Sequence, residues 1–277
     1  MPELPEVETT LRGLAPHLEG QSVAAVVIRH PRLRWPIPQN LPKLLRGRTI
    51  RALRRRAKYL LIEFDHGTLI LHLGMSGSLC ILPAKTPATK HDHFDLVLAN
   101  GKLMRLHDPR RFGAVLWHEG DPAQHPLLAA LGPEPLPDKT EKTDFDGRYL
   151  YQATRGRNIA IKQCIMDSHV VAGIGNIYAN EALFLAGVRP QLAAGKISLP
   201  RCTRLVAAIR KTLNQAIRHG GSTLRNFVNS EGKPGYFQQH YWVYGRGGEP
   251  CKKCGTLIKQ IRQGQRSSFY CGSCQQL

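Results

Sequence analysis

A chain of 277 residues with 42% apolar side chains has enough material for two modest domains, each with its own core. Its 39 Lys and Arg against 20 Asp and Glu leave a formal charge of +19, far beyond what solubility needs, so a polyanionic partner is expected and nucleic acid first of all. No apolar run approaches transmembrane length, and the start is acidic where a signal peptide is basic and then apolar; nucleic acid is favoured over a membrane, no membrane partner is expected, and a bacterial cytoplasmic, nucleoid-associated setting is expected.

The opening "MPELPEVETT" predicts a helix, with Pro5 at its first position, Glu6 and Glu8 on the positive end of the dipole, and Val7, Leu11, Leu14 and Leu18 at helical spacing. That chemistry accounts for neither Pro2 nor Glu3, which precede the helix where a terminus normally frays. The pattern then turns to strands: "SVAAVVIRH", "KYLLIEF", "TLILHLG", "SLCIL", "FDLVLANGKLMRLHD" and "GAVLWH", with Asn100-Gly101 as a hairpin signal. A sandwich or barrel carrying at least one helix is expected. Lys58 ends a basic run before one of these strands, where basic residues are most often a solvated face.

Two turns, "LHLGMSGSL" and "HDPRRFGAV", each combine polar or cationic groups with one hydrophobe. Met75 and Phe112 either fold back into the core or act as wedges in a base stack, with Arg110 beside them. The proline-rich stretch "GDPAQHPLLAALGPEPLPD" reads as an interdomain connection.

Beyond it the periodicity is helical. A helix from an Asn176 cap to Gly187 and a longer one marked by Leu205, Ile209, Leu213 and Ile217, ending at Gly220-Gly221, make the second domain mainly α. "VVAGIGNIYANE" lacks the strand and third glycine of a dinucleotide site, although glycines at a helix start can face a phosphate. From 222 to 241 the mixed polar and aromatic composition reads as a long functional loop.

Cys80, Cys164 and Cys202 stand alone and read as buried thiols. Cys251, Cys254, Cys271 and Cys274 instead form C-x2-C-x16-C-x2-C, the spacing of a four-thiolate zinc site. With every thiolate on the metal the site is closed and structural, so any activity there comes from residues on the clamped hairpin: Arg262 and Arg266 are either its working groups or merely solvated.

The pieces "PELPEVET", "KYL", "HLGMSG", "KHDHFD", "HDPRRFGA", "GIGNIYANE" and "KPGYFQQHYWVYGR", in that order and followed by the cysteine hairpin, resemble the formamidopyrimidine-DNA glycosylase family over nearly the whole chain. The resemblance implies an α+β multidomain fold: an N-terminal β-sandwich with flanking helices (1–134), a helix-two-turns-helix domain with a lesion-capping loop (135–245) and a C-terminal zinc-finger β-hairpin (246–277). It implies one structural zinc ion, a monomer, and duplex DNA with oxidised purines or abasic sites as partner.

Removal of Met1 would then free the Pro2 amine, and since terminal amines in general titrate at about pH 8 it is usable near neutrality to attack C1′ of the flipped nucleotide. Glu3 assists opening of the sugar ring and Glu6 supports proton movement around the amine. Lys58 serves β-elimination and Arg266 δ-elimination, leaving a gap with phosphates on both ends. His91, Arg110 and Asn176 hold phosphates around the lesion. The family has a basic residue where this chain has Asn158, and Arg155, Arg157 and Lys162 stand near enough in sequence to replace it. Met75, Arg110 and Phe112 fill the gap left by the extruded base, Arg110 facing the orphaned cytosine, and a loop over 222–236 closes on the oxidised base. Two rivals stand beside this reading: an endonuclease VIII-like enzyme for oxidised pyrimidines, which shares the proline and the zinc hairpin, and a non-catalytic zinc DNA-binding protein.

Overall fold

The computed structural model describes residues 2–137, 143–222 and 240–277. They fall into two compact units, one spanning 1–129 with 219–236 and the other 130–218 with 237–277. Met1 and, apart from Ser222, the loop expected to cap the lesion over 222–236 lie outside the described residues.

The first unit runs α1 (Leu4–Leu18), β1 (Val23–Ile28), α2 (Leu41–Leu45), β2 (Ala52–Arg56), β3 (Tyr59–Phe64), β4 (Gly67–His72), β5 (Ser78–Pro83), β6 (Asp92–Leu98), β7 (Lys102–His107), β8 (Ala114–His118) and α3 (Pro126–Ala129). Two antiparallel four-stranded sheets result, ordered β1-β6-β7-β5 and β2-β3-β4-β8. Alternate residues of the strands turn inward, so Leu60, Ile62, Leu69 and Leu71 of one sheet share a core with Phe94, Leu96, Met104 and Leu106 of the other. Leu14 and Leu18 of α1 join the same cluster. Helix α1 begins one residue before Pro5, because Glu3 and Glu6 form a reciprocal capping box that satisfies the free amides of the first turn.

β2 was not among the expected strands. Its sequence, ALRRR, carries too much charge for an alternation signal, yet it is an edge strand, where charge is tolerated. Arg54 reaches Glu63 at 3.1 Å and Arg55 reaches Glu8 at 3.0 Å. Burial pushes the Glu8 carboxyl up, but Arg55 and Arg12 together outweigh it and hold it below its ordinary range.

The second unit carries α4 (Gly147–Thr154), α5 (Ile161–Met166), α6 (Asn176–Ala186), α7 (Leu199–Arg218), β9 (Ile258–Gln263) and β10 (Arg266–Cys271). The Asn176 cap gives way to Gly175, which takes the extended cap conformation and makes Asn176 the first helical residue, its side chain released for other work. Helix α7 starts six residues before Leu205. Strands β9 and β10 pair antiparallel, Arg266 opposite Gln263, and pack with Phe184, Val243 and Cys251 in a small cluster of their own.

Candidate nucleic-acid interface and catalytic site

In the first unit, Pro2 and Glu3 are buried directly ahead of α1, and Glu6 is fully buried. One Glu6 carboxylate oxygen accepts the Glu3 amide at 2.8 Å; the other accepts the Ser222 amide, also at 2.8 Å. A single carboxylate therefore ties the residue after Pro2 to the first residue of the expected capping loop. Helix capping explains only half of that arrangement.

Lys58 occupies the two-residue turn between β2 and β3, where Ala57 adopts a positive φ of +52°. Across the adjoining β3–β4 pair, His72 faces Tyr59, the ring centroids 4.8 Å apart. Burial, aided by the charges of Lys58 and Arg34, lowers the His72 pKa to about 4. The Gly74 amide donates to His72 Nδ1 at 3.0 Å, which fixes the neutral tautomer with Nε2 as the N–H donor. Sequence reasoning missed His72, which stood within a quoted motif but read as one residue of an apolar strand.

Met75 and Phe112 are 42% and 44% exposed, so neither side chain folds back into the core. The Arg110 guanidinium lies over the Phe112 ring, 4.7 Å from its centroid. His91 is half-buried among histidines, its ring 6.3 Å from that of His93 and 5.8 Å from that of His107. His107 is held by Asp92 at 2.8 Å.

In the second unit, Asn158 is exposed on the connection between α4 and α5. Of the three cations near it, Arg155 donates to the Tyr151, Ala194 and Ile197 carbonyls and stacks on the Tyr151 ring. Lys162 is 1% exposed and donates to the Ser267 carbonyl at 2.8 Å and the Ser268 hydroxyl at 2.7 Å. Among the described residues Arg157 pairs loosely with Asp167, at 3.6 Å, and its side chain is 40% exposed.

Asn176 donates to the same Ser267 carbonyl at 3.2 Å, while its side-chain Oδ1 is buried with no partner among the described residues. Asn180 accepts the Phe269 amide at 2.7 Å. Arg266, exposed at the start of β10, is thus set one residue before a peptide held by two donors. A pocket of about 270 Å³ lies beside it, lined by Lys162, Gln163, Met166, Asp167 and the turn 263–266. Arg262 is also exposed, opposite Ser267.

The four cysteine sulfurs lie within 4.8 Å of one another, with Cys251 and Cys274 4.0 Å apart and Cys254 and Cys271 3.4 Å apart. A tetrahedron with zinc–sulfur bonds of about 2.3 Å has sulfur–sulfur edges of about 3.8 Å, so the set fits a four-thiolate zinc ion. The Lys253 and Cys274 amides each point at a cysteine sulfur at 3.4 Å, as thiolate ligands require.

Three family profiles match the chain: the formamidopyrimidine-DNA glycosylase N-terminal domain at 1–115, its H2TH domain at 131–228, and a zinc finger found in FPG and IleRS at 248–277. A formamidopyrimidine-DNA glycosylase of Thioalkalivibrio sulfidiphilus is 59% identical over 275 residues, 99% of this chain and 100% of the relative. One from Shewanella sp. (strain MR-4) is 58% identical, covering 99% of each. Among solved structures, a Lactococcus lactis FPG mutant bound to DNA containing Fapy-dG superposes with a TM-score of 0.90 at 33% identity, covering both chains fully. The Lactococcus lactis protein with abasic-site DNA gives 0.89 at 32% identity over 99% of this chain and 100% of that one. With three profiles spanning both units and a relative this close over its whole length, the chain belongs to the formamidopyrimidine-DNA glycosylase family.

Proposed function

We propose that the chain is a bifunctional DNA glycosylase and AP lyase that excises oxidised purines, 8-oxoguanine and formamidopyrimidines, from duplex DNA and cleaves the strand by β,δ-elimination. The nucleophile is the secondary amine of Pro2 after removal of Met1. It attacks C1′, the damaged base leaves, and the resulting Schiff base acidifies the C2′ protons, so the 3′ and then the 5′ phosphate depart. Glu3 supplies the acid for ring opening. Glu6, already bound to the Glu3 amide, sets the position of the turn and supports proton movement. Both carboxylates favour the cationic sugar that develops beside them.

Lys58 serves the first elimination, and the uncharged His72 beside it offers Nε2–H to a phosphate without adding a charge that would compete. Arg266, displayed by the zinc hairpin, serves the second. Met75, Arg110 and Phe112 fill the space of the extruded base, and the Arg110 donors match the acceptors of the orphaned cytosine better than they match adenine. His91 and Asn176 contact phosphates. Arg157 takes the contact missing at Asn158, since Arg155 and Lys162 are committed to the protein itself. We keep 1–134, 135–245 and 246–277 as the working division into domains. The enzyme acts as a monomer in the bacterial cytoplasm, on the nucleoid; no helix of the described residues is long and apolar enough to cross a membrane.

Pro2, buried with Glu3 and Glu6 at a helix start that has no structural need of it, carries this reading. Borohydride should trap a covalent adduct on a duplex with 8-oxoguanine opposite cytosine, and mass analysis should place it on an amino-terminal proline. Pro2→Gly should sharply reduce base release and the adduct while DNA binding persists; normal turnover by that variant removes the amine from the mechanism. Thymine glycol opposite adenine processed faster than 8-oxoguanine opposite cytosine favours the pyrimidine enzyme instead. Its standing is not idle, because the Lactococcus lactis protein has also been seen with DNA containing an oxidised pyrimidine.

A further inference from the structure

Two turns carry the exposed side chains at the tip of the sandwich, 73–77 with Met75 and 108–113 with Arg110 and Phe112. Their backbones press together. A Cβ at Gly74, which has a φ of +62°, would lie 2.3 Å from the Phe112 carbonyl carbon. Asp108, the first residue of the second turn, is 0% exposed and gives one carboxylate oxygen to each turn. Oδ1 accepts the Ser76 hydroxyl at 3.0 Å, and Oδ2 accepts the Gly113 amide at 2.8 Å. The Asp108 carbonyl in turn accepts the Arg111 amide at 3.2 Å and meets His93 Nε2 at 3.0 Å. Arg111 holds a positive φ of +54°, a conformation that costs energy in a residue with a side chain and persists only where its surroundings enforce it.

We infer that Asp108 is the positioning residue of the wedge: its buried carboxylate fixes Met75 relative to the stacked Arg110–Phe112 pair, and so sets both extrusion of the lesion and recognition of the opposite base. Each of the residues adjoining the wedge side chains, Ser76 after Met75 and Gly113 after Phe112, donates to a different oxygen of this one group. An ordinary fold carboxylate needs no such division between two functional turns. Asp108 touches no DNA in this account; it acts through the side chains it spaces.

The inference rests on the wedge reading above, and the test separates the two. Asp108→Asn keeps the shape but removes the buried charge both donors share; with its oxygen kept on the Gly113 amide, its N–H meets the Ser76 hydroxyl, which must turn round to accept, so the tie to the Met75 turn is weakened. Single-turnover rates at saturating enzyme are measured for base excision from 8-oxoguanine:C and for strand cleavage at a preformed abasic site, where no base remains to be pushed out. Loss of a charge-assisted buried hydrogen bond predicts excision about tenfold slower or worse, with abasic cleavage within about threefold of wild type. Discrimination between cytosine and adenine opposite the lesion should narrow, because Arg110 moves with its turn. Ser76→Ala removes one bond without disturbing a buried charge, and should shift the same ratio the same way by a smaller factor; it decides the matter if Asp108→Asn does not fold. Equal losses on both substrates, or none, in the variant that folds would make Asp108 a residue of the fold alone and overturn the inference. Phe112→Ala is the control: if it leaves excision intact the wedge reading itself falls, whereas a crippled Phe112→Ala beside an unaffected Asp108→Asn removes only the role of Asp108.

Discussion

The wedge turns and the zinc hairpin solve one problem by opposite means. Each displays from a turn exposed side chains for which we propose a role on DNA, and a buried charged group bonds each turn close by in sequence or space: Asp108 near Met75, Arg110 and Phe112, Lys162 near Arg266. Behind Asp108 stands the sandwich core, with both sheets and α1 contributing. Behind the hairpin stands only a handful of apolar residues, among them Phe184, Val243, Ile258 and Phe269. A core so small cannot hold an irregular hairpin, so hydrogen bonds donated by Lys162 and Asn176, one accepted by Asn180, and four thiolates on a metal take its place. A turn on a large core should stay folded when it loses one bond, its side chains shifting without the fold giving way, while a turn held by a metal should not survive loss of the metal.

The harshest test of that contrast is to remove zinc. Structural zinc contributes on the order of 10 kcal/mol in isolated fingers, so Cys254→Ala or strong chelation should unfold the hairpin and cut DNA affinity by orders of magnitude. The sandwich should keep its structure, since no described thiolate of the site belongs to the first unit. Elemental analysis should find one zinc per active wild-type chain. Metal-free protein with full affinity would erase the distinction between the two regions.

How much of this could be read from the sequence follows the same divide. The cysteine spacing and most strands were legible, because both depend on local period. β2 was hidden by its arginines, whose partners Glu8 and Glu63 lie elsewhere in the chain. Asp108 was in plain view within "HDPRRFGA", but its partner Ser76 is 32 residues away, so no local pattern announces the pair. Lys162 offered itself as a DNA contact for the same reason: a lysine on the sequence is a cation, and only the fold shows it buried against Ser267 and Ser268, more than 100 positions on. Exposure of Met75 and Phe112 likewise needed the structure, since an apolar residue at a turn reads equally well as core.

A milder break is Lys162→Met, which keeps bulk and removes the donors. Two hydrogen bonds from a charged donor are lost, although the Ser267 carbonyl keeps Asn176 and the Ser268 hydroxyl keeps Gln263, so the cost should be about 1–3 kcal/mol, seen as a lower melting temperature, with zinc retained. Freed from its anchor, Arg266 should serve δ-elimination poorly, so the unsaturated-aldehyde product of β-elimination should accumulate relative to the doubly phosphorylated gap. Arg266→Gln, which removes the charge with similar bulk, should shift the same ratio further while sparing the trapped adduct; denaturing gels under single-turnover conditions read both. An unchanged ratio in Arg266→Gln reduces that residue to a DNA contact.

The smallest effect near neutral pH concerns how the two units treat a buried base. Lys162 is surrounded by acceptors, whereas His72 faces a donor, the Gly74 amide, on its Nδ1. Protonating His72 would set two donors against each other, which agrees with a pKa lowered from 6.5 to about 4, first by burial and then by Lys58 and Arg34. The sign follows from linkage. Between those values the unfolded chain takes up a proton that the folded chain refuses, so the contribution of His72 is whole above about pH 6.5 and is lost as pH falls toward 4, at a limiting cost of about 3 kcal/mol. His72→Gln should flatten that part of the stability profile, measured as urea midpoints between pH 7 and 4.5. Lys58→Met should raise the His72 pKa only modestly, because burial is the larger cause and remains; an NMR titration of the ring reads the shift directly. If His72 titrated near 6.5 in the wild-type protein, the ring beside Lys58 would gain a proton at Nδ1 and become a second cation over part of the working range, and activity on abasic DNA should then change with pH between 6 and 7. A flat profile there, with Lys58→Met alone altering the rate, assigns the elimination step to the lysine and leaves His72 its uncharged neighbour.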